Sequence, residues 1–215
     1  MNNPNTSLLP NIEEFISSIS VDSISNKRKA VLQPLIDYIQ HKQDQNEVTQ
    51  LNFICTHNSR RSQLTQAWAK VLAVHFGIQV ESFSGGVEVT AFNQSAINAL
   101  INNGFKAELE GETNPKVRLT FSENHTPLVM FSKKFDDAIN PVEGFAAIMT
   151  CSDADANCPF IAGAERRIPV KYEDPKLFDG TPEEAAKYAE RSLQIATEMF
   201  YVFSQINKSC VNQKN

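Results

Sequence analysis

The sequence predicts an α/β fold: a four-stranded, mostly parallel sheet with helices on both faces, preceded by an N-terminal helical extension. Short apolar runs alternate with segments whose apolar residues recur at helical spacing. A polar loop directly follows the first apolar run, as ligand-binding loops do at the carboxyl ends of parallel strands. The residues before this run carry only helical patterns. We therefore divide the chain into a helical extension, residues 1–48, and a main domain, residues 49–215.

Composition limits the possible functions. The chain has 215 residues, of which 41% are hydrophobic, so it can bury a sizeable core without disulfides. A net charge of −5 does not favour nucleic-acid binding, which rewards a basic face. No apolar run approaches the ~20 residues of a membrane helix, and the first ten residues do not resemble a leader. We expect a cytoplasmic protein that binds neither nucleic acid nor membrane, and whose four cysteines form no disulfide scaffold.

Apolar periodicity and turn residues predict the elements. Helices are expected at residues 11–20 and 27–41 of the extension, where Pro34 should kink the second helix or begin a new one. The strands of the sheet are expected at residues 49–55, 80–84, 127–132 and 145–150, with an additional edge strand at 117–121. Helices are expected at residues 62–76, 94–101, 133–139 and 181–206. Gly77 should end the first of these, and Thr181 should cap the last, with Glu184 completing a capping box.

The segment Cys-Thr-His-Asn-Ser-Arg-Arg-Ser, residues 55–62, links the first strand to the next helix. Backbone N–H groups of such a loop and the helix N-terminus converge on one point and form an anion site. The same dipoles favour the thiolate of Cys55, and Arg61 offers a planar fork that matches a tetrahedral oxyanion. These features predict a cysteine nucleophile that attacks a phosphate-like centre. The alternative is a buried cysteine that ends a strand beside solvated arginines. The candidate oxyanion-binding residues are Thr56, His57, Asn58, Ser59, Arg60 and Arg61.

Two further stretches carry chemistry. Cys151 and Cys158 lie seven positions apart, which does not fit a zinc knuckle, so no metal site is predicted. The pair can close into a disulfide if the segment between them loops or unwinds, which suggests a redox switch; two unrelated surface cysteines are the alternative. Asp174 precedes a proline and is held in an extended loop, where a carboxylic acid aimed at a leaving oxygen would complete the site.

These stretches together resemble a known family. CTHNSRRSQ, CSDADANCP and EDP, in this order, are similar to segments of the thioredoxin-coupled arsenate reductases, which have the low-molecular-weight protein tyrosine phosphatase fold. The stretch SGGVEVTAFNQSAINAL also resembles the second strand and helix of the family. The resemblance covers roughly residues 50 to 205, and the two-cysteine segment distinguishes it from the simple phosphatases of this fold. The fold that the resemblance implies is therefore low-molecular-weight phosphotyrosine phosphatase-like.

The resemblance implies roles for the loop residues and the acid. Cys55 would be the nucleophile, Asn58 would brace the loop, and Arg61 would hold the oxyanion. Ser62 would donate a hydrogen bond that stabilises the thiolate and eases its departure. Asp174 would be the general acid.

The resemblance also implies a thiol relay. Cys151 would attack the Cys55–arsenic adduct, releasing arsenite and leaving a Cys55–Cys151 disulfide. Cys158 would then attack Cys151, and a thioredoxin-like reductant would reduce the resulting Cys151–Cys158 disulfide. The substrate would be arsenate, with a phosphate monoester as the alternative.

The sequence departs from the family at three loop and helix positions. His57 stands where glycine is usual, and Arg60 stands where many members have a second loop cysteine. Gln66 replaces a glutamate that helps to bind potassium in some members, so we expect neither a metal nor a cofactor.

Two alternatives to a reductase stay open. The first is a tyrosine phosphatase of the same fold, for which Tyr172 is the obvious aromatic at the cleft mouth. The second is a redox-responsive binding protein.

Overall fold

The computed structural model describes residues 8–157 and 160–207. Two of the cysteines, Cys158 and Cys210, lie outside the described residues. The extension contains helix α1 (Pro10–Ser17), a 3-10 turn (Val21–Ser23) and helix α2 (Asn26–Asp44). The helices of the main domain are α3 (Arg61–Phe76), α4 (Gln94–Asn102), α5 (Ser152–Asn157) and α6 (Glu184–Ser204). Its strands are β1 (Thr49–Cys55), β2 (Val80–Gly86), β3 (Lys106–Glu110), β4 (Lys116–Thr120), β5 (Leu128–Met130), β6 (Phe145–Met149) and β7 (Ala164–Pro169).

The main sheet has four strands in the order β2-β1-β6-β7, and every pairing is parallel. Strand β1 lies between β2 and β6, with Cys55 paired to Gly86 and Ile54 paired to Met149. Strand β6 is wholly buried and β1 almost wholly, as expected for parallel strands that helices cover on both sides. The predicted α/β class is therefore confirmed. Because the strands are parallel, Cys55, the last residue of β1, and Cys151, two positions after β6, lie at the same edge of the sheet.

A second sheet, not predicted, has three antiparallel strands in the order β3-β4-β5. The expected edge strand at residues 117–121 exists as β4, but it is the central strand of this second sheet. The expected main-sheet strand at residues 127–132 was wrong, because only Leu128–Met130 is extended and it pairs with β4. Apolar character identified a strand there but could not say which sheet it joins. The fourth main-sheet strand is instead β7, whose polar sequence Ala-Glu-Arg-Arg-Ile-Pro concealed it.

Residues 133–139 do not form the expected helix. They run beside the end of β2, where the Gly86 N–H donates to the Lys133 carbonyl at 2.8 Å and the Phe135 N–H donates to the Gly86 carbonyl at 3.0 Å. Gly85 permits this approach, since a Cβ there would lie 2.2 Å from the Phe135 Cα. Backbone pairing with β2 therefore replaces local helical bonding in this segment.

The predicted helix ends are partly right. Gly77 ends α3 in the left-handed conformation, with φ 64°, as predicted. Helix α2 continues through Pro34 and does not restart there. The prediction for Thr181 was wrong, because α6 begins at Glu184 and the capping box does not form. The Glu184 carboxylate instead accepts from the Gly180 N–H at 2.8 Å and from the Ser95 hydroxyl at 2.5 Å.

The helical extension packs into the main hydrophobic core. Fully buried side chains of α1 and α2, including Ile12, Leu32 and Leu35, belong to the same cluster as Trp68. The Phe15 ring stacks on the Trp68 ring with centroids 5.0 Å apart. Trp68 thus packs at the contact between the extension and the main domain. Within the described part of the chain, no helix has the length and apolarity required to span a membrane.

Candidate active site

The thiol of Cys55 lies at the base of the loop that joins β1 to α3, and it is 3% exposed. Its Sγ accepts a hydrogen bond from the Asn58 N–H at 3.2 Å. The Ser62 hydroxyl lies 3.1 Å from the same sulfur and itself accepts from the Asn58 side-chain amide at 2.9 Å. With that donor already satisfying its oxygen, the Ser62 hydroxyl is oriented to donate to Cys55. The Asn58 N–H and the Ser62 hydroxyl therefore converge on the same sulfur and fix its position in the loop.

Asn58 holds the loop in shape from inside the protein. It has a positive φ of 47° and is fully buried. Its amide nitrogen donates to Ser62 and to Ser84, each at 2.9 Å, and its Oδ1 accepts from the Lys133 N–H at 3.0 Å. Gln63 donates to its carbonyl at 3.0 Å. An asparagine tolerates this backbone conformation, and its side chain ties the loop to β2 and to residue 133. The implied bracing role therefore has a structural basis.

Gly86, at the end of β2, allows the loop to lie against the sheet. A Cβ at this position would lie 2.6 Å from the Glu88 carbonyl oxygen, 2.7 Å from the Asn58 nitrogen and 2.8 Å from the Thr56 carbonyl oxygen. All three are backbone atoms, which cannot move aside independently. The glycine is therefore required for the loop to adopt its observed path.

Arg61 and Asp174 are brought together, as expected for an arginine and an acid of one site. The Arg61 Nη2 donates to the Asp174 Oδ2 at 2.5 Å, and its Nη1 donates to the Tyr172 carbonyl at 3.1 Å. The Arg61 Nε is buried and has no hydrogen-bond partner among the described residues. Such a donor is costly to leave unpaired, so this nitrogen is suited to an anionic ligand. The other Asp174 oxygen accepts from the Lys176 N–H at 3.1 Å and caps a 3-10 turn, Pro175–Phe178.

Two other side chains of the loop point to partners outside it. The His57 Nε2 pairs with Glu88 at 3.2 Å. Arg60 donates to the Tyr188 hydroxyl at 2.7 Å and to the Asp179 carboxylate at 2.9 Å. The side chains of His57 and Arg60 are therefore engaged by residues outside the loop. The predicted oxyanion role of Thr56, His57, Asn58, Ser59 and Arg60 therefore stays a prediction.

The Arg60, Tyr188 and Asp179 cluster was not anticipated from sequence. The Tyr188 hydroxyl donates to Asp179 at 2.7 Å, and burial raises the pKa of Tyr188, so the phenol stays protonated. These three residues tie the loop to α6. They are separated by up to 128 positions, and no local pattern connects them.

Cys151 lies beside the same loop. It is fully buried, its Sγ accepts from the Ala154 N–H at 3.3 Å, and the Thr56 hydroxyl lies 3.4 Å from the same sulfur. Cys55 and Cys151 belong to one small hydrophobic cluster at the end of the sheet. The structure therefore places both thiols at the same end of the sheet.

Helix α5 begins directly after Cys151 and leads toward Cys158. Its Asp155 forms ion pairs with Arg167 at 2.6 Å and with Lys171 at 2.7 Å. The helix is thereby tied to β7 and to the segment after it. The role predicted for Cys158 lies outside the described residues.

A cleft of about 360 Å³ flanks the loop. It is lined by His57, Ser59, Arg60, residues 90–94 and Lys176. Tyr172 is not at its mouth, contrary to expectation, because its side chain is buried. Three of the lining residues, His57, Arg60 and Lys176, are basic or can become so. The aromatic residue Phe92 also lines the cleft but is 3% exposed, so the described lining residues offer no exposed aromatic wall of the kind that a tyrosine phosphatase usually presents.

The described residues contain no group of three His, Cys, Asp or Glu side chains able to hold a metal ion. Gln66 stands where some members of the family have a potassium-binding glutamate. It donates to the Ser82 carbonyl at 3.0 Å and accepts from the Ser84 hydroxyl at 2.6 Å. Its amide is thus used to link α3 to β2. The expectation that no metal or cofactor is required stays a prediction.

The fold and the site together define an α/β protein with a buried cysteine thiol in a polar loop at the carboxyl end of a parallel sheet. Comparison with known proteins narrows this class. An arsenate reductase of Staphylococcus aureus (strain Newman) is 30% identical over 150 residues, which cover 69% of this chain and 92% of the relative. The chain belongs to the arsenate reductase family, and it is therefore an enzyme and not the redox-responsive binding protein left open by the sequence.

Further relatives and solved structures are similar to this chain. Arsenate reductase 2 of Staphylococcus epidermidis is 28% identical over 148 residues, covering 69% of this chain and 92% of the relative. No protein-family model matches the chain. Among solved structures, a low-molecular-weight protein tyrosine phosphatase from T. tengcongensis has a TM-score of 0.49 at 14% identity, covering 74% of this chain and 99% of that one. An arsenate reductase in the phosphate-binding state has a TM-score of 0.47 at 16% identity, covering 74% and 100%.

Proposed function

We propose that this protein reduces arsenate to arsenite through a relay of Cys55, Cys151 and Cys158. The observation that carries the proposal is the second thiol beside the first. Cys151 is buried in the same cluster as Cys55, and its sulfur lies 3.4 Å from the hydroxyl of the adjoining Thr56. A hydrolase that proceeds through a phosphocysteine has no use for this thiol. The two relatives named above are both arsenate reductases, which supports the same substrate.

In the first step the Cys55 thiolate attacks the arsenic atom of arsenate. A sulfur–arsenic bond forms and an arsenic–oxygen bond breaks, while Asp174 donates a proton so that the oxygen leaves as water. Arg61 and the loop N–H groups hold the remaining oxygens. Arsenic is still As(V) in this adduct.

In the second step the Cys151 thiolate attacks the sulfur of Cys55. The electron pair of the sulfur–arsenic bond passes to arsenic, which leaves as arsenite, As(III), and the two cysteines become a disulfide. The thiolate of Cys158 then attacks Cys151, releases Cys55 as a thiolate and forms a Cys151–Cys158 disulfide. An external dithiol protein of the thioredoxin type reduces this disulfide. A cytoplasmic location, where thiols stay reduced, suits such a cycle.

A phosphatase acting on phosphate monoesters is the second candidate. Cys55, Arg61 and Asp174 form a complete set of nucleophile, oxyanion holder and acid without either of the later cysteines. Because Phe92, the aromatic residue among the described lining of the cleft, is buried, phosphotyrosine is disfavoured as the substrate.

A coupled assay tests the two candidates directly. Purified protein, thioredoxin, thioredoxin reductase and NADPH are mixed, arsenate is added, and NADPH oxidation is followed. We expect arsenate-dependent oxidation with the wild type and with Cys210→Ser, and none with Cys151→Ser or Cys158→Ser. Hydrolysis of an aryl phosphate is measured on the same proteins.

Each outcome assigns the function. Loss of NADPH oxidation in the two relay variants, with aryl phosphate hydrolysis retained, supports the relay. A wild type that hydrolyses the ester but does not oxidise NADPH with arsenate would make the protein a phosphatase. Reduction of arsenate that survives in Cys151→Ser would overturn the relay.

A further inference from the structure

Arg28 connects the N-terminal extension to the site. It lies in the first turn of α2, and its Nε and Nη2 donate to the two carboxylate oxygens of Glu198 on α6 at 2.8 and 2.7 Å. Such a bidentate pair fixes the plane of the guanidinium. Glu198 is buried and is also held by Gln194, which donates to it at 3.0 Å. The orientation of Arg28 is therefore set by α6.

The fixed guanidinium covers the ring of Tyr172. The Arg28 Cζ lies 5.0 Å from the ring centroid, within the range of a cation–π contact. The Tyr172 ring is buried, so this contact is shielded from water and gains strength. Arg28 thus forms part of the wall that holds Tyr172 in place.

The backbone of Tyr172 in turn holds the catalytic groups. Its N–H donates to the Thr150 carbonyl at 3.1 Å, next to Cys151, and its carbonyl accepts from Arg61 at 3.1 Å. Asp174 follows two residues later and pairs with Arg61 at 2.5 Å. A shift of the Tyr172 ring would therefore move both the carbonyl that anchors Arg61 and the carboxyl of Asp174.

We propose that Arg28 is a positioning residue for Asp174, acting through Tyr172. The inference rests on the proposed function, because it assigns Arg28 to the general acid of that reaction. Arg28 itself does not touch the reacting atoms. Arg28 lies outside residues 50–205, where the family resemblance is found. The N-terminal extension therefore contributes a residue that positions Asp174.

Kinetics of arsenate reduction test the proposal. In Arg28→Ala we expect kcat to fall about tenfold, since a misplacement of about 1 Å can cost up to ~100-fold in rate. The KM for arsenate should stay within about twofold, because Cys55 and its loop are unchanged. Arg28→Lys, which keeps one ion pair and the cation over the ring, should recover part of the rate.

Lys42→Ala is the matched control. Lys42 lies on the same helix and pairs with Glu165 at 3.0 Å, so its removal also breaks an ion pair between the extension and the sheet, but far from Tyr172. We expect a comparable loss of thermal stability in both variants and a loss of kcat only in Arg28→Ala. Equal kcat losses in the two would mean that Arg28 is merely structural and would overturn the proposal.

A double-mutant cycle with Asp174→Asn identifies the route. If Arg28 acts through Asp174, then Arg28→Ala should lower kcat about tenfold in the wild type and less than twofold in the Asp174→Asn background. Additive losses would show that Arg28 acts elsewhere.

Hydrogen exchange supplies a readout that needs no activity. The amides of Tyr172 and Lys176 should exchange faster in Arg28→Ala and stay unchanged in Lys42→Ala. If the wild type turns over neither arsenate nor an aryl phosphate, the proposed function fails, and the exchange result still decides whether Arg28 orders the loop. Unchanged exchange in Arg28→Ala would overturn the positioning role.

Discussion

Asn58 shows how a single buried side chain can maintain an anion loop. It combines a positive φ of 47° with hydrogen bonds to α3, to β2 and to residue 133. Its side-chain amide donates to the Ser62 hydroxyl, which in turn contacts the Cys55 sulfur. The shape of the loop and the reactivity of Cys55 therefore depend on the same amide. Loss of this amide should therefore affect both.

We predict that Asn58→Ala lowers the free energy of unfolding by about 2–4 kcal/mol, since several buried partners lose their hydrogen bonds at once. Arsenate turnover should fall at least tenfold. Urea denaturation and the coupled assay measure the two effects. Asn46→Ala is the control, because Asn46 also has a positive φ, 55°, but is exposed. Similar destabilisation of both variants would show that backbone conformation, and not the hydrogen bonds of Asn58, dominates.

Lys133 is a buried cation whose backbone braces the same loop. Burial lowers its pKa to about 8, although Asp137 raises it in part. Below pH 8 the lysine is charged in both states and its burial opposes folding. Between pH 8 and the higher pKa of the unfolded chain, the unfolded state binds more protons, so stability rises with pH.

We therefore predict that Lys133→Met stabilises the protein at pH 7 by about 1–3 kcal/mol and that the gain shrinks by pH 10. Urea midpoints at the two pH values measure it. Lys134→Met, at the exposed neighbouring position, should change stability by less than about 0.5 kcal/mol at either pH. A gain from Lys133→Met that is the same at both pH values would contradict the ionisation argument.

At the scale of elements, α5 separates the two relay cysteines of the proposed function. A helix rises ~1.5 Å per residue, so the six residues of α5, which lie between the two cysteines in the sequence, span about 9 Å. A disulfide requires Cα atoms about 4.4–6.8 Å apart. The helix must therefore unwind before Cys158 can reach Cys151. The ion pairs of Asp155 with Arg167 and Lys171 oppose this unwinding.

We predict that Arg167→Gln speeds formation of the Cys151–Cys158 disulfide about two- to fivefold, which corresponds to a partly exposed ion pair of about 0.5–1 kcal/mol. A single turnover with excess arsenate, stopped with an alkylating reagent and analysed by mass spectrometry, measures the rate. Arg166→Gln, at the next exposed position of β7, should leave it unchanged. A slower rate in Arg167→Gln would mean that the ion pair aids the exchange.

The elements that were predictable are those whose local pattern agrees with their tertiary setting. The apolar run at β1 gave its bounds, Thr49–Cys55, without error, because both faces of this strand are buried. Strand β7 was missed because Glu165, Arg166 and Arg167 face solvent at the sheet edge. The loop motif located Cys55 and Arg61, and a short acid–proline segment located Asp174. The supports of these groups, Tyr188 and Arg28, come from distant helices and leave no local signal.

At the scale of the whole molecule, the extension and the main domain share one hydrophobic core. Leu35 of α2 is fully buried, and its replacement leaves a cavity in that core. The single tryptophan, Trp68, lies under the extension and reports on the packing between the two parts. The extension should therefore unfold together with the sheet.

We predict that Leu35→Ala lowers the free energy of unfolding by about 2–5 kcal/mol. Circular dichroism and Trp68 fluorescence should shift together in one transition. Leu177→Ala, at a position 80% exposed, should change it by less than about 0.5 kcal/mol. If the helical signal of Leu35→Ala melts before the fluorescence changes, the extension is a separate folding unit.

The ion pair between Arg28 and Glu198 also constrains how the protein is made. Its two members are 170 residues apart, so at ~5–20 residues per second the ribosome needs roughly 9–34 s after Arg28 before it adds Glu198. During that interval α1 and α2 have been synthesised, but their partner on α6 does not exist. The part of the α2 surface that contacts α6 therefore stays uncovered in the nascent chain until α6 has been made. The ion pair that orients Arg28 over Tyr172, and through it Asp174, can therefore form only near the end of synthesis.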